Sequence, residues 1–155
     1  MIIYYGPTMG KTTALKNRKD NKLIDFDDIF RMPLKRLSKK LNIPVKQLKI
    51  EMPIEYRKTF LRTLLITDYN FPNSVIMVSN TVALYYPDFF DEMYIPDRVT
   101  FCHRQINRSE SDKSIEDLYD EASEYYFDIM DKHNGHELLT INNKFISEIY
   151  AEKNI

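Results

Sequence analysis

Apolar residues recur in two rhythms along this chain. Short continuous runs, β-branched or aromatic, mark strands at Met1–Tyr5 (MIIYY), Lys22–Phe26 (KLIDF), Ser74–Ser79 (SVIMVS), Arg98–Cys102 (RVTFC) and His136–Ile141 (HELLTI). Between them the spacing lengthens to three and four. Over Ser114–Lys132 the residues Ile115, Leu118, Tyr119, Ala122, Tyr125, Tyr126, Ile129 and Met130 make one helix face, with Ser114 and Asp117 as a capping pair and Asn134-Gly135 as the stop. KTTALKNRK after the first strand predicts a short helix, and Lys144–Lys153 a closing one. Prolines at 33, 44, 53 and 72 divide the region after the second strand into PLKRLSKKL, IPVKQLKIE and IEYRKTFLRTLLITDY, read as separate helices that use proline in the first turn. Strands alternating with helices predict an α/β fold of three layers, about five mostly parallel strands with helices on both faces.

Composition bounds this picture without changing it. The 155 residues, 43% hydrophobic and 13% aromatic, suit one domain with one core. Cys102 is the sole thiol, so nothing demands an oxidising compartment, and no apolar run reaches the length of a membrane span. The first glycine comes at residue 6, too early for a signal core before it, so a mature N-terminus and a cytoplasmic setting are expected. The formal net charge of -1 hides an asymmetry. From Ile29 to Ile50 every charged residue is basic, whereas Glu110–Glu137 sets its many acids against only Lys113 and Lys132. Either one side of the molecule meets an anion, or two solvated helix faces carry opposite signs.

The candidate chemistry lies in YYGPTMGKTT. Gly10-Lys11-Thr12 matches the second half of a phosphate-binding loop, in which backbone N–H groups wrap phosphates, lysine bridges them and the hydroxyl holds Mg2+. The first glycine of that motif would fall on Tyr5; Gly6 lies one residue later. A loop one residue short, with Gly6 starting the turn, is preferred, because positive φ costs a bulky residue and not a glycine. Two of the chain's three glycines sit here, between an apolar strand and a helix start that itself attracts anions.

With GPTMGKTT, the acidic cluster IDFDD after the second strand and the arginines of HRQINR in view, the chain resembles the P-loop kinases, particularly their small nucleoside monophosphate kinase and shikimate kinase branches. The resemblance implies a single P-loop kinase-like domain over 1–155, with a helical acceptor-binding lobe at 29–70 and a lid-like segment at 103–113. It implies ATP and Mg2+ as cofactors: Gly6, Pro7, Thr8, Met9, Gly10, Lys11, Thr12 and Thr13 around the nucleotide phosphates, and Thr12 with Asp25 at the metal. It implies Lys11, Arg104 and Arg108 as the charges that stabilise phosphoryl transfer. Asp25 and Asp27 have the Asp-x-Asp spacing of shikimate kinases, and Asp27-Asp28 the pair of polynucleotide 5'-kinases; Asp27 is the candidate general base for a hydroxyl acceptor. Helix capping alone would also place an aspartate there. Arg31, Arg36 and Arg57 lie where monophosphate kinases grip the acceptor phosphate, and Ser79 and Asn80 end the third strand where open α/β sheets bind ligands.

Two departures matter. The third strand ends Ser79-Asn80 instead of in a carboxylate, leaving Asp25, Asp27 or water for the metal, and no Asn-Lys-x-Asp motif supports a GTPase. His103, His133 and His136 have no metal-ligand spacing with Cys102. The leading expectation is an ATP-dependent kinase of a (deoxy)nucleoside monophosphate. The alternatives are a kinase of a hydroxyl acceptor (a nucleic acid end, a modified base or a small metabolite) and a nucleotide-dependent switch.

Overall fold

Strand β1 (Ile2–Tyr5) lies at the centre of one parallel sheet, flanked by β3 (Val75–Val78) and β4 (Glu92–Ile95), with β2 (Leu23–Asp25) and β5 (Leu139–Ile141) at the edges. The computed structural model describes residues 1–17, 23–109, 111–132 and 139–153. Every neighbouring pair is parallel, with Tyr4 opposite both Val78 and Met93, so each connection crosses over the sheet. Helix α1 (Lys11–Asn17) follows β1; α2 (Phe26–Leu41), α3 (Val45–Glu51) and α4 (Pro53–Asn70) lie between β2 and β3. Two short 3-10 turns, Thr81–Tyr85 and Pro87–Phe89, lead to β4. Helices α5 (Arg98–Arg108) and α6 (Ile115–Lys132) then lead to β5, and α7 (Ile146–Lys153) closes the described chain.

The two-residue period of the strands divides the core in two. Ile2, Tyr4, Ile76, Val78, Met93 and Ile95 face α2 through α6, while Ile3, Tyr5, Val75, Met77 and Tyr94 face α1 and α7. This is the expected three-layer arrangement. Among the described residues, no helix is long and apolar enough to cross a membrane.

Two expectations fail, each for a local reason. RVTFC is the start of helix α5 and not a strand. Asp97 caps it by accepting the Thr100 amide at 2.8 Å, and the turn buries Phe101 and Cys102, so capping and packing override β-branched propensity. The fourth strand is Glu92–Ile95, whose apolar run of three was too short to stand out. Pro33 does not open a helix but sits inside α2. An interior proline costs about 3 kcal/mol, and burying Phe26 and Phe30 returns about 1.5–3 kcal/mol each, so the helix runs through it. Phe26 packs edge-on against Phe60, and Phe30 against Tyr56 and Phe60, at centroid distances of 5.1–5.5 Å, which ties α2 to α4. Asn134-Gly135 and the first residues of HELLTI lie outside the described residues. The helix before them begins as expected, with the Asp117 amide donating to Ser114 Oγ at 3.2 Å.

Candidate active site

The loop between β1 and α1 is shaped by two residues in the left-handed region, Thr8 (φ 72°) and Gly10 (φ 82°). Tyr5 remains a buried strand residue, stacked on Tyr94 with centroids 5.6 Å apart. A Cβ on Gly6 would lie 3.0 Å from Ile95 Cγ1, so the chain passes close to β4, to which Gly6 donates its amide (2.7 Å to Tyr94 O). A Cβ on Gly10 would meet the Phe145 ring at 3.0 Å. Met9 points into the α1/α7 core, and its carbonyl accepts the Ile146 amide at 2.7 Å, which anchors α7 to the loop. The Gly10 carbonyl accepts the Ala14 amide at 2.9 Å, starting α1 and leaving the first-turn amides of Lys11, Thr12 and Thr13 without helical partners.

This loop floors a cleft of about 610 Å3 at the carboxyl edge of the sheet. The chain order switches direction across β1, with β3 on one side and β4 on the other, the position where open α/β sheets hold ligands. Asp27 enters from the start of α2, Ser79 from the end of β3, and Arg104, Asn107 and Arg108 from α5. Lys11 spans the cleft: its Nζ lies 2.6 Å from Asp27 Oδ2 and 3.0 Å from Asp25 Oδ1. Burial alone would lower the Lys11 pKa, but the hydrogen bonds and charges of Asp27 and Asp25 outweigh it and raise it, so the ammonium is firmly charged.

The two aspartates have different work. Asp25 Oδ1 accepts the Asp27 amide at 3.1 Å and caps α2. Asp27 lies in the first turn of α2, its side chain about half exposed, and Lys11 is the partner of its carboxylate. Capping therefore accounts for Asp25 and not for Asp27.

Arg104 is held over the loop, donating to Thr8 O at 3.3 Å and Asn143 O at 2.8 Å, with its guanidinium 4.1 Å above the Phe145 ring. Burial draws its pKa down against the pull of Glu148 and Asp97, far too little to discharge a guanidinium. Arg108, one turn on, also lines the cleft.

Not every expected residue reaches it. Asn80 caps the following 3-10 turn by accepting the Val82 amide at 3.0 Å and donates to Tyr56 Oη at 2.9 Å. Arg31 is exposed and pairs loosely with Asp28 on its own helix (3.5 Å), and Arg36 is exposed further along α2. Arg57 stacks on Tyr85, 3.8 Å from the ring centroid, in a separate small cavity.

Asn107, Asn143 and Phe145 belong to the site and were not foreseen. Asn107 lay inside HRQINR, one turn from Arg104, and could have been found by helical spacing. Phe145 carries no motif; only the fold brings it against Gly10.

No family model matches the sequence, and no curated protein matches it. Among solved structures, a shikimate kinase from Bacteroides thetaiotaomicron superposes with a TM-score of 0.60 over 99% of this chain and 97% of that one, at 14% identity. The chain has the fold of this shikimate kinase. A dephospho-CoA kinase from Campylobacter jejuni matches less closely, with a TM-score of 0.48 over 97% and 91% of the two chains at 16% identity.

The residues of this loop offer room and donors for a phosphate group. Thr8 Oγ1 is buried in the cleft wall with no hydrogen-bond partner among the described residues, and Gly10 keeps the space beside Phe145 that any Cβ would fill. The hydroxyl of Thr12 and the carboxylate of Asp25 are hard oxygen donors of the kind Mg2+ takes alongside phosphate oxygens. Among the described residues no cluster of three or more His, Cys, Asp or Glu could hold a metal alone, so substrate oxygens would have to complete any Mg2+ shell.

Proposed function

We propose that this protein is an ATP-dependent phosphotransferase acting on a small acceptor at the Lys11–Asp27 cleft. The carrying observation is the 2.6 Å pair between the loop lysine and a carboxylate that is not a helix cap. Lys11, Arg104 and Arg108 direct positive charge into one cleft, and such prearranged charge is most of what phosphoryl transfer requires. ATP would supply the phosphoryl group, and Thr12 and Asp25 would hold Mg2+, whose charge would offset that of the phosphates. Thr8 Oγ1 and the first-turn amides of α1 are the donors that bind the phosphates.

The cleft favours a hydroxyl acceptor. Asp27 takes the hydroxyl proton as the oxygen attacks the terminal phosphorus; the new O–P bond forms as the bond to the ADP oxygen breaks. Asp27 can do this only after Lys11 has moved its contacts toward phosphate, which couples base activation to nucleotide binding. An acceptor that is already a phosphate has no proton to lose, and neither Arg31 nor Arg36 lies in the cleft to grip one. A (deoxy)nucleoside monophosphate is the second reading, favoured by the paired arginines of α5, which suit a second phosphate.

The test is ADP release from Mg-ATP against nucleoside and deoxynucleoside monophosphates, nucleosides, small hydroxy acids and 5'-hydroxyl oligonucleotides. Stimulation by a hydroxyl compound supports the first reading, and stimulation by one monophosphate the second. Nucleotide binding with no turnover on any acceptor would favour a switch and overturn the enzyme reading.

A further inference from the structure

Beside the main cleft lies a second cavity of about 90 Å3, walled by α3, α4, the Thr81–Tyr85 turn and the end of α6. Three cations converge on it, and among the described residues no carboxylate lines it. Lys49 Nζ donates to Thr81 Oγ1 at 2.7 Å, the Arg57 guanidinium lies 3.8 Å above the Tyr85 ring, and Lys132 Nζ approaches that ring to 5.9 Å. Among the described residues, Asp128 pairs with this cluster, 2.9 Å from Lys132 Nζ, and the charge of Asp27 is felt at Tyr56 in the cavity wall. Partial burial lowers the Lys49 pKa and the Lys132 charge lowers it further, with Asp128 acting the other way, so the repulsion is felt at the site itself.

Three cations gathered from three helices around one small cavity, with Asp128 the carboxylate paired to them among the described residues, are destabilising unless an anion joins them. The cavity has room for one small polar group and not for a nucleotide. Its location is also specific. Tyr56 lines it and bonds Asn80, and Asn80 adjoins Ser79 in the wall of the main cleft. We propose that Lys49, Lys132 and Arg57 form a second oxyanion site, which takes a phosphate group two residues along the chain from the phosphotransfer cleft. Lysine contributes movable point charge and arginine a planar fork fixed by Tyr85, a combination suited to a tetrahedral oxyanion. The site deepens the proposed function, resting on it only for the question of which molecule carries the phosphate.

The experiment is a titration of the 15N-labelled protein with inorganic phosphate at low ionic strength, followed by NMR. The Arg57 Nε–H and Thr81 amide report this cavity, and the Gly10 amide reports the loop. Saturable shifts at Arg57 and Thr81 are expected, moved at least tenfold to higher phosphate in the K49Q/K132Q double variant, while the Gly10 curve stays unchanged. Absence of a saturable response at Arg57 and Thr81, or an unchanged curve in the double variant, overturns the site. A Gly10 amide silent to both phosphate and Mg-ATP would instead overturn the phosphate-loop reading, and the two failures are separate. Acceptor kinetics of the double variant then distinguish the carrier. A tenfold rise in acceptor KM at constant kcat means that the acceptor bears the phosphate. Unchanged kinetics with phosphate binding lost means a separate phosphate-bearing ligand.

Discussion

Lys11 Nζ stands 2.6 Å from Asp27 Oδ2 and 3.0 Å from Asp25 Oδ1, so one ammonium holds together two carboxylates that would otherwise repel. The same lysine is the residue a bound polyphosphate would claim. Replacing it removes both functions: Lys11→Met is expected to lower kcat by about 10²–10³-fold, the usual cost of one charge-stabilising donor. Retained turnover, with nucleotide affinity unchanged by calorimetry, would sink the loop assignment.

Asp25 and Asp27 separate by assay. Asp27→Asn should cut kcat by about 10²–10⁴-fold on a hydroxyl acceptor while thermal stability stays near wild type, as expected for a general base. Asp25→Ala loses the cap of α2 and should cost about 1 kcal/mol in urea unfolding. Near-normal turnover of Asp27→Asn would return the acceptor to a phosphate.

The pH dependence of stability should carry the mark of Asp97. The Thr100 amide, with help from Asn143 and Arg104, holds this carboxyl below the ordinary carboxylate range. A depressed folded pKa stabilises the protein above the unfolded value, about 3.9, and that stabilisation disappears as pH falls through the folded one. Asp97→Asn keeps a capping oxygen and removes the charge. Its deficit should be visible in urea melts at pH 6 and shrink as pH falls below the ordinary carboxylate range; a deficit constant with pH would refute the charge argument.

Thr8 is a β-branched residue at φ 72°, with a buried hydroxyl that has no partner among the described residues. A left-handed conformation costs such a residue roughly 1–2 kcal/mol. Thr8→Asn should therefore raise stability by about 1 kcal/mol in melts, since asparagine tolerates this conformation. If the hydroxyl serves phosphate, the same variant weakens nucleotide binding, a trade of function for stability. A variant neither more stable nor weaker in binding would show that Thr8 stores nothing.

Phe145 carries Arg104 on its face and fills the space above Gly10. Phe145→Ala should raise the KM for ATP about tenfold or more with little change in kcat, the pattern of lost uniform binding. A fall in kcat alone would mean that Phe145 acts through Arg104 on the chemistry.

The sequence by itself determined the layers. Continuous apolar runs in MIIYY and SVIMVS call for a sheet covered on both faces, and the glycine pair between a strand and a helix calls for a loop open to an anion; both follow from local chemistry. Asp25 and Asp27 could be named as a pair from spacing, but their division of labour could not, because capping and catalysis ask for the same side chain. Local propensity misled at RVTFC and Pro33, where a cap at Asp97 and the burial of Phe26 and Phe30 outweigh it. What only the tertiary structure decided is which charges meet. Arg104 and Arg108 reach the cleft because α5 packs beside the loop, while Arg31 and Arg36 lie on the exposed side of α2. Arg57 lies away from the cleft and lines a separate cavity with Lys49 and Lys132, the latter more than seventy residues along the chain. Electrostatic partnership depends on distance through space, and a linear pattern records only distance along the chain.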